Sequence, residues 1–318
     1  MTGPRIVVRT GLILVVSVLL AACSESTTDT GDVGGNDSIV FSLPDTLVRL
    51  TDDVQYDRNH PCWDIAGRTV FYTRYEVKNP GNILTSEIFS MWELNGKETQ
   101  RTGSGGITDF PSVRPSYIAY RSNHTGHHNI YMGALSWEAP VTDTEQKDFE
   151  VAVAPQGASG KLAFSKADTL ASGGVVYYIY LLESTGLIKV SSGNSDFHPT
   201  WGTLGHRIAF QRTHPGMNGA QIVVMSRYGG DEVPITTYGE SCIHPDWNRA
   251  RDKIAFSRSG DIFMCDPDGK NEVQLTFETQ FAEYPAWSPD GNYLAYGEFD
   301  QSRYVIYIKD VKHILTRH

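Results

Sequence analysis

Lys253-Ile254-Ala255-Phe256-Ser257-Arg258 is one copy of a phrase that the chain repeats. It is a short apolar run ending in a basic or polar residue. Earlier copies are Thr69-Val70-Phe71-Tyr72-Thr73-Arg74, Tyr117-Ile118-Ala119-Tyr120-Arg121-Ser122, Lys161-Leu162-Ala163-Phe164-Ser165-Lys166 and Arg207-Ile208-Ala209-Phe210-Gln211-Arg212. Tyr293-Leu294-Ala295-Tyr296-Gly297-Glu298 follows, making six copies. Internal repetition at such a period is the signature of an architecture whose units cannot bury their apolar faces alone.

Working outward, a second phrase stands about ten residues before each copy, within a repeat of about 40–50 residues. It reads His60-Pro61-Cys62-Trp63, Phe110-Pro111-Ser112-Val113, His198-Pro199-Thr200-Trp201, His244-Pro245-Asp246-Trp247 and Tyr284-Pro285-Ala286-Trp287. In the third unit only Ala154-Pro155 is expected to remain of it. A third phrase follows the first, as in Asn129-Ile130-Tyr131-Met132, Gln221-Ile222-Val223-Val224-Met225 and Asp261-Ile262-Phe263-Met264. A fourth closes the units with a hydroxyl: Arg101-Thr102, Val141-Thr142, Val190-Ser191, Ile235-Thr236, Leu275-Thr276 and Leu315-Thr316.

Each unit thus holds four short runs rich in Ile, Val, Phe, Tyr and Trp, bounded by turn residues. That is the pattern of strands. Asp266-Pro267-Asp268-Gly269 and Ser288-Pro289-Asp290-Gly291 place Pro and Gly where tight turns need a fixed or positive φ. No long 3.6-residue periodicity argues for helices. Four strands per repeat at this spacing predict an all-β fold, a six-bladed β-propeller of four-stranded antiparallel blades. Ring closure has two solutions in the sequence. Leu47-Val48-Arg49-Leu50-Thr51 reads as a further copy of the closing phrase and could complete the last blade across the ends; Leu315-Thr316 could complete it instead.

Tyr284-Pro-Ala-Trp-Ser-Pro-Asp-Gly-Asn-Tyr-Leu-Ala-Tyr296 and Arg121-Ser-Asn-His-Thr-Gly-His-His-Asn-Ile-Tyr-Met132 resemble the repeat of TolB-type propellers. The resemblance spans roughly Leu47 to Thr316. It implies a WD40-like repeat fold that docks another molecule on one face or in its central channel. TolB itself carries an amino-terminal α/β domain, and the sequence here is expected to hold only a tether ahead of the first blade. Fold resemblance of this kind does not assign an activity.

The amino terminus reads as a targeting signal. Arg5 and Arg9 precede the apolar stretch Gly11–Leu20, which is too short to span a bilayer of about 20 residues. Leu20-Ala21-Ala22-Cys23 resembles the bacterial lipobox, which implies cleavage before Cys23 and acylation of that residue. Residues 1–22 are therefore expected to be a lipoprotein signal peptide, 23–44 the lipidated cysteine and a flexible tether, and 45–318 the propeller. The expected location is the bacterial cell envelope, lipid-anchored, on the outer membrane facing periplasm or cell surface. A monomer is expected.

Of 318 residues, 40% are hydrophobic and 20% charged, and the formal net charge is −10. That composition fits a globular body. An acidic chain without a basic run is unsuited to phosphate backbones, so no nucleic acid is expected as partner. Besides Cys23 there are Cys62, Cys242 and Cys265, an odd number whose spacing matches no zinc pattern; buried free thiols are the reading.

No Gly-x-Ser-x-Gly nucleophile elbow is present. Gly157-Ala158-Ser159-Gly160-Lys161 lacks Walker spacing and reads as a turn. His60, His198 and His244 occupy one repeat position in units one, four and five, on or near the innermost strand. They are the candidate metal ligands, by similarity to oligogalacturonate lyases. Against this, blades one and four start on opposite sides of a ring and zinc requires nitrogens about 2.0–2.1 Å from one ion. The other reading is that His-Pro is simply how the repeat begins. His124, His127 and His128 crowd one loop and could catch a transition metal or be solvated. Trp63, Trp201, Trp247 and Trp287 recur at blade spacing and read as packing between blades. No catalytic residue and no cofactor is assigned. The expectation is a non-enzymatic module that binds an envelope protein or a glycan, with the membrane reached through its lipid; the alternative is a metal-dependent polysaccharide lyase-like enzyme using the channel histidines.

Overall fold

Ile254, Ala255 and Phe256 are all fully buried, as are Ile208, Ala209 and Phe210. Successive residues of a strand point to opposite sides of its sheet, so each such strand must be covered on both faces. The computed structural model does this with six four-stranded antiparallel sheets around an axis. It describes residues 47–315 apart from 51–54, 80–81, 135–136, 144, 146, 156–161, 194, 215, 217, 238, 278–280 and 301–302. The expected signal peptide, Cys23, the expected tether and the Gly157–Lys161 segment therefore lie outside the described residues.

The first five blades run outward in chain order. Their innermost strands are Asp57–Trp63, Thr108–Val113, Phe149–Val153, Asp196–Trp201 and Cys242–Asn248. The sixth blade begins with Ala282–Trp287, continues through Tyr293–Asp300 and Arg303–Asp310, and takes Val48–Arg49 as its outer strand. Each innermost strand packs against the innermost strands on both sides, from first blade to sixth and back to the first. The six-bladed propeller read from the repeat is what forms.

Val48 pairs with Ile308 and Arg49 with Tyr307, which settles ring closure. The alternative through Leu315-Thr316 does not form: Leu315 ends the short helix Lys312–Leu315, and Thr316 lies outside the described residues. Closing phrases share one bond. The residue after each outer strand donates its N–H to the third strand, in Arg101→Ile88, Val141→Ile130, Val190→Ile179, Ile235→Ile222, Leu275→Ile262 and Leu50→Ile306, at 2.7–3.0 Å. The next hydroxyl returns the bond, accepting the N–H of Ile88, Ile130, Ile179, Ile222 and Ile262 on Thr102, Thr142, Ser191, Thr236 and Thr276. The hydroxyl of the fourth phrase thus satisfies a backbone donor that would otherwise be buried unpaired.

Apolar clusters fill the gaps between blades, for example Trp201, Phe210 and Met225 of blade four against Ala163, Ile179 and Leu181 of blade three. The tryptophans bridge blades as expected: the indole N–H of Trp63 donates to Ala286 O and that of Trp201 to Ala152 O, both at 3.1 Å. A Cβ on Gly202 would sit 3.1 Å from the Trp247 ring, so a side chain there would require that indole to shift by a few tenths of an ångström. A basic residue ending the first phrase can tie a blade along its edge, as Arg212 does with Asp196 and Glu232.

Candidate functional site

Near its middle each innermost strand breaks register with its neighbour. The irregularity falls between Asn59 and Cys62, Asp109 and Ser112, Phe149 and Val151, Phe197 and Thr200, Ile243 and Asp246, and Glu283 and Ala286. Inside each bulge one residue has a positive φ: His60 at 52°, Phe110 at 54°, Glu150 at 27°, His198 at 50°, His244 at 54° and Tyr284 at 54°. Bulges re-aim side chains, and a following proline keeps its predecessor out of the right-handed helical region. Five of the six are followed by proline.

Blade three corrects the sequence reading. Its member is Glu150, followed by Val151, and not Ala154-Pro155. The matching stretch is Asp148-Phe149-Glu150, equivalent to Asp196-Phe197-His198. The Asp-Phe pair was the available signal; the missing proline hid it.

These six side chains meet on the axis. His60 stacks on Phe110 at 3.9 Å between ring centroids and meets Tyr284 edge-on at 4.3 Å. Tyr284 stacks on His244 at 3.7 Å, and His244 meets His198 at 4.4 Å. His198 Nε2 lies 3.5 Å from Glu150 Oε1. Across the ring, Phe110 and His198 are 5.7 Å apart and Phe110 and Tyr284 6.0 Å. Ring contact at these distances closes the channel with a plug. His60 and His198, expected to start far apart, both touch Phe110 and Tyr284, because the bulge carries each side chain inward.

Burial sets the charge of the plug. It pushes the His198 imidazole down to about 3, aided by the nearby Arg121 guanidinium. The same cause holds His60 and His244 well below the usual histidine value, so all three are neutral at neutral pH. His60 Nδ1 is engaged by Tyr75 Oη at 3.0 Å and Thr73 Oγ1 at 3.3 Å. Burial raises Glu150 to about 7, with Arg121 opposing. Arg121 itself is clamped by both oxygens of Asp109 at 2.6–2.7 Å.

On the side where the innermost strands end, the plug floors a blind funnel of about 260 Å³. Its wall carries Pro61, Pro111, Pro199, Pro245 and Pro285, then Cys62, Ser112, Thr200 and Asp246. Burial raises Asp246 above the usual carboxylate range; it accepts from Thr200 Oγ1 at 3.1 Å and from the Trp287 N–H at 2.8 Å, joining blades four, five and six. Phe110, Glu150, Tyr284, Asp246 and Arg249 were not singled out from the sequence, although Phe110 and Tyr284 occupy the same phrase position as the three histidines.

The imidazoles stack on rings and do not converge on a common point. Among the described residues no group of three His, Cys, Asp or Glu side chains is placed to hold a metal ion. The three-histidine loop is no exception: His124 bonds Ser122 and Glu138, and His127 is exposed. Cys62, Cys242 and Cys265 are free thiols, Cys62 in the funnel wall and the other two buried in blade five.

Fold and channel together define a six-bladed β-propeller, and it is similar to curated TolB homologues. A TolB homologue of Chlorobium chlorochromatii is 34% identical over 153 residues, 48% of this chain. The matched stretch is 32% of that relative's length, so the chain spans about a third of it. TolB from Acinetobacter baumannii superposes with a TM-score of 0.62 at 19% identity, over 78% of this chain and 62% of that one. An oligogalacturonate lyase in complex with manganese superposes with a TM-score of 0.55 at 11% identity, over 87% and 96%. These structures share the fold. No protein-family profile matches the chain.

Proposed function

We propose that this chain is a non-enzymatic binding module of the bacterial cell envelope, tethered by lipid on Cys23, and that it takes a partner at the funnel. In this reading residues 45–318 are the propeller body and 23–44 the tether. The partner is an envelope protein or a glycan. One observation carries the docking face: the axial plug floors a blind, wall-lined recess on the side where the innermost strands end. Concave recesses are where proteins hold ligands. The TolB resemblance and the lipobox support the envelope location.

The test is photo-crosslinking in cells with a reactive residue at Ile65, which is 41% exposed at the funnel, or at Val175, which is 52% exposed where the third strand of blade three starts, on the opposite face. A defined adduct at Ile65 and none at Val175 is expected. Equal labelling at both sites, or none at Ile65, sinks the docking face. Loss of membrane association in Cys23→Ala tests the tether.

A second reading, a metal-dependent lyase, draws on the three histidines meeting at the plug. The residues present do not fit a metal centre, since the rings lie against Phe110 and Tyr284 and His60 Nδ1 is already bonded. Manganese-dependent cleavage of oligogalacturonate that disappears in His198→Ala and His244→Ala would revive it.

A further inference from the structure

Asp64, Glu150 and Asp246 line the funnel, and Arg249 is the one cation among its lining residues. Asp64 and Asp246 converge on the wall, since both act electrostatically on the Cys62 thiol there, and Asp246 also attracts Arg249. Asp64 Oδ1 accepts the N–H groups of Arg68 and Thr69 at 2.8 and 3.0 Å, which leaves Oδ2 without a donor among the described residues. Asp246 accepts Thr200 Oγ1 on one oxygen and the Trp287 N–H on the other, and each oxygen keeps a second lone pair. The exposed Arg249 guanidinium lies 3.5 Å from Val153 O, a long contact that leaves most of its five donors available. Trp287 adds an independent observation. It is 6% exposed and lines the funnel, and its indole N–H has no acceptor among the described residues. The matching indoles of Trp63 and Trp201 donate to carbonyls of the neighbouring blade, and that of Trp247 to Asp252 Oδ1 at 2.8 Å. A buried donor left unpaired is costly, and an oxygen entering the funnel would satisfy it.

These groups ask one ligand for donors and acceptors at once. Ionised carboxylates only accept, whereas guanidinium and indole only donate. A protonated amine brings no acceptor for Arg249 or Trp287. An anionic ligand is repelled by the carboxylates that line the recess. A neutral hydroxyl both donates and accepts, so a ring of hydroxyls answers both sets. The rest of the wall suits the carbon face of such a ring. Five prolines stand around the funnel, and Trp63, unlike the buried Trp201, Trp247 and Trp287, is only half-buried where it lines it. The faces of aromatic rings carry the negative end of a quadrupole, which attracts C–H groups. At about 260 Å³ the recess falls just below the usual size of ligand sites, about 300–1,000 Å³, which fits a single ring or the end of a chain.

We propose that the funnel binds a neutral pyranose, a single sugar ring or a chain end, through Asp64, Asp246 and Arg249, with Trp63 against its carbon face. This rests on the funnel being the docking face, and it selects the glycan as the partner held there.

Ligand-observed NMR on the full chain tests this with methyl glucoside, methyl galactoside, methyl mannoside and N-acetylglucosamine. Glucuronate and glucosamine serve as charged counterparts, at a mildly acidic pH that keeps glucosamine cationic. Saturable binding of at least one neutral sugar is expected, with both charged sugars weaker. Asp64→Asn and Arg249→Gln should each weaken the best sugar by about tenfold while keeping the wild-type unfolding midpoint. Absence of saturable binding by all four neutral sugars, tighter binding of glucuronate or glucosamine, or unchanged affinity in either variant overturns the proposal. An Ile65 adduct that forms while no neutral sugar binds overturns the sugar assignment and leaves the docking face standing. Absence of both removes the two together.

Discussion

A left-handed backbone at a residue with a side chain costs roughly 1–2 kcal/mol, and this chain accepts it at six positions around one axis. The return is the plug, in which each side chain packs on its neighbours. Glu150 is its one carboxyl, and its titration is a measurable consequence. Its ordinary value of 4.5 rises to about 7 in the fold. Between those pH values the folded chain keeps a proton that the unfolded chain releases, so this group makes stability fall as pH rises, and the fall ends above about 7. His198 acts oppositely: below 6.5 the unfolded chain takes up a proton that the fold refuses until about 3, so stability falls with acid. Glu150→Gln removes only the first effect. Thermal unfolding from pH 4.5 to 8 should show the variant gaining on the wild type as pH rises to about 7, by on the order of 3 kcal/mol, with the difference constant beyond. A difference independent of pH would show that Glu150 is ionised throughout.

At the scale of the element, closing the ring depends on a strand of two residues. Val48 is 3% exposed between blades, Arg49 Nη1 lies 3.4 Å from Asp300, and the Leu50 N–H donates to Ile306 O. Without this strand, Arg303–Asp310 would present an unpaired edge, which invites association with other chains. Val48→Asp puts an unpaired charge at a buried site next to Ile308 and should destabilise by several kcal/mol. Circular dichroism melts, with light scattering for association, report it; an unchanged midpoint would mean that blade six closes without Val48–Arg49.

For the whole molecule, no blade has a core of its own, because its apolar side chains are shared with the next. Unfolding should therefore be one cooperative event, with tryptophan fluorescence and circular dichroism giving coincident denaturant transitions. Trp201 is fully buried between blades three and four. Trp201→Ala should lower stability by about 3–5 kcal/mol and move both transitions together. Separated transitions would mean that blades melt singly, as units of an open array do.

The sequence by itself determined the repeat, hence the number of blades, their strand order and their packing tryptophans, because a strand covered on both faces must be apolar throughout and its turns must carry Pro and Gly. It also placed His60, His198 and His244 at one equivalent position. Only tertiary structure decided what that position does. A bulge aims its side chain at the axis, and which rings then touch depends on residues from all six blades, far apart in the chain. Glu150 was hidden because pattern matching followed the proline, whereas the channel depends on the backbone bend, which Val151 permits as well.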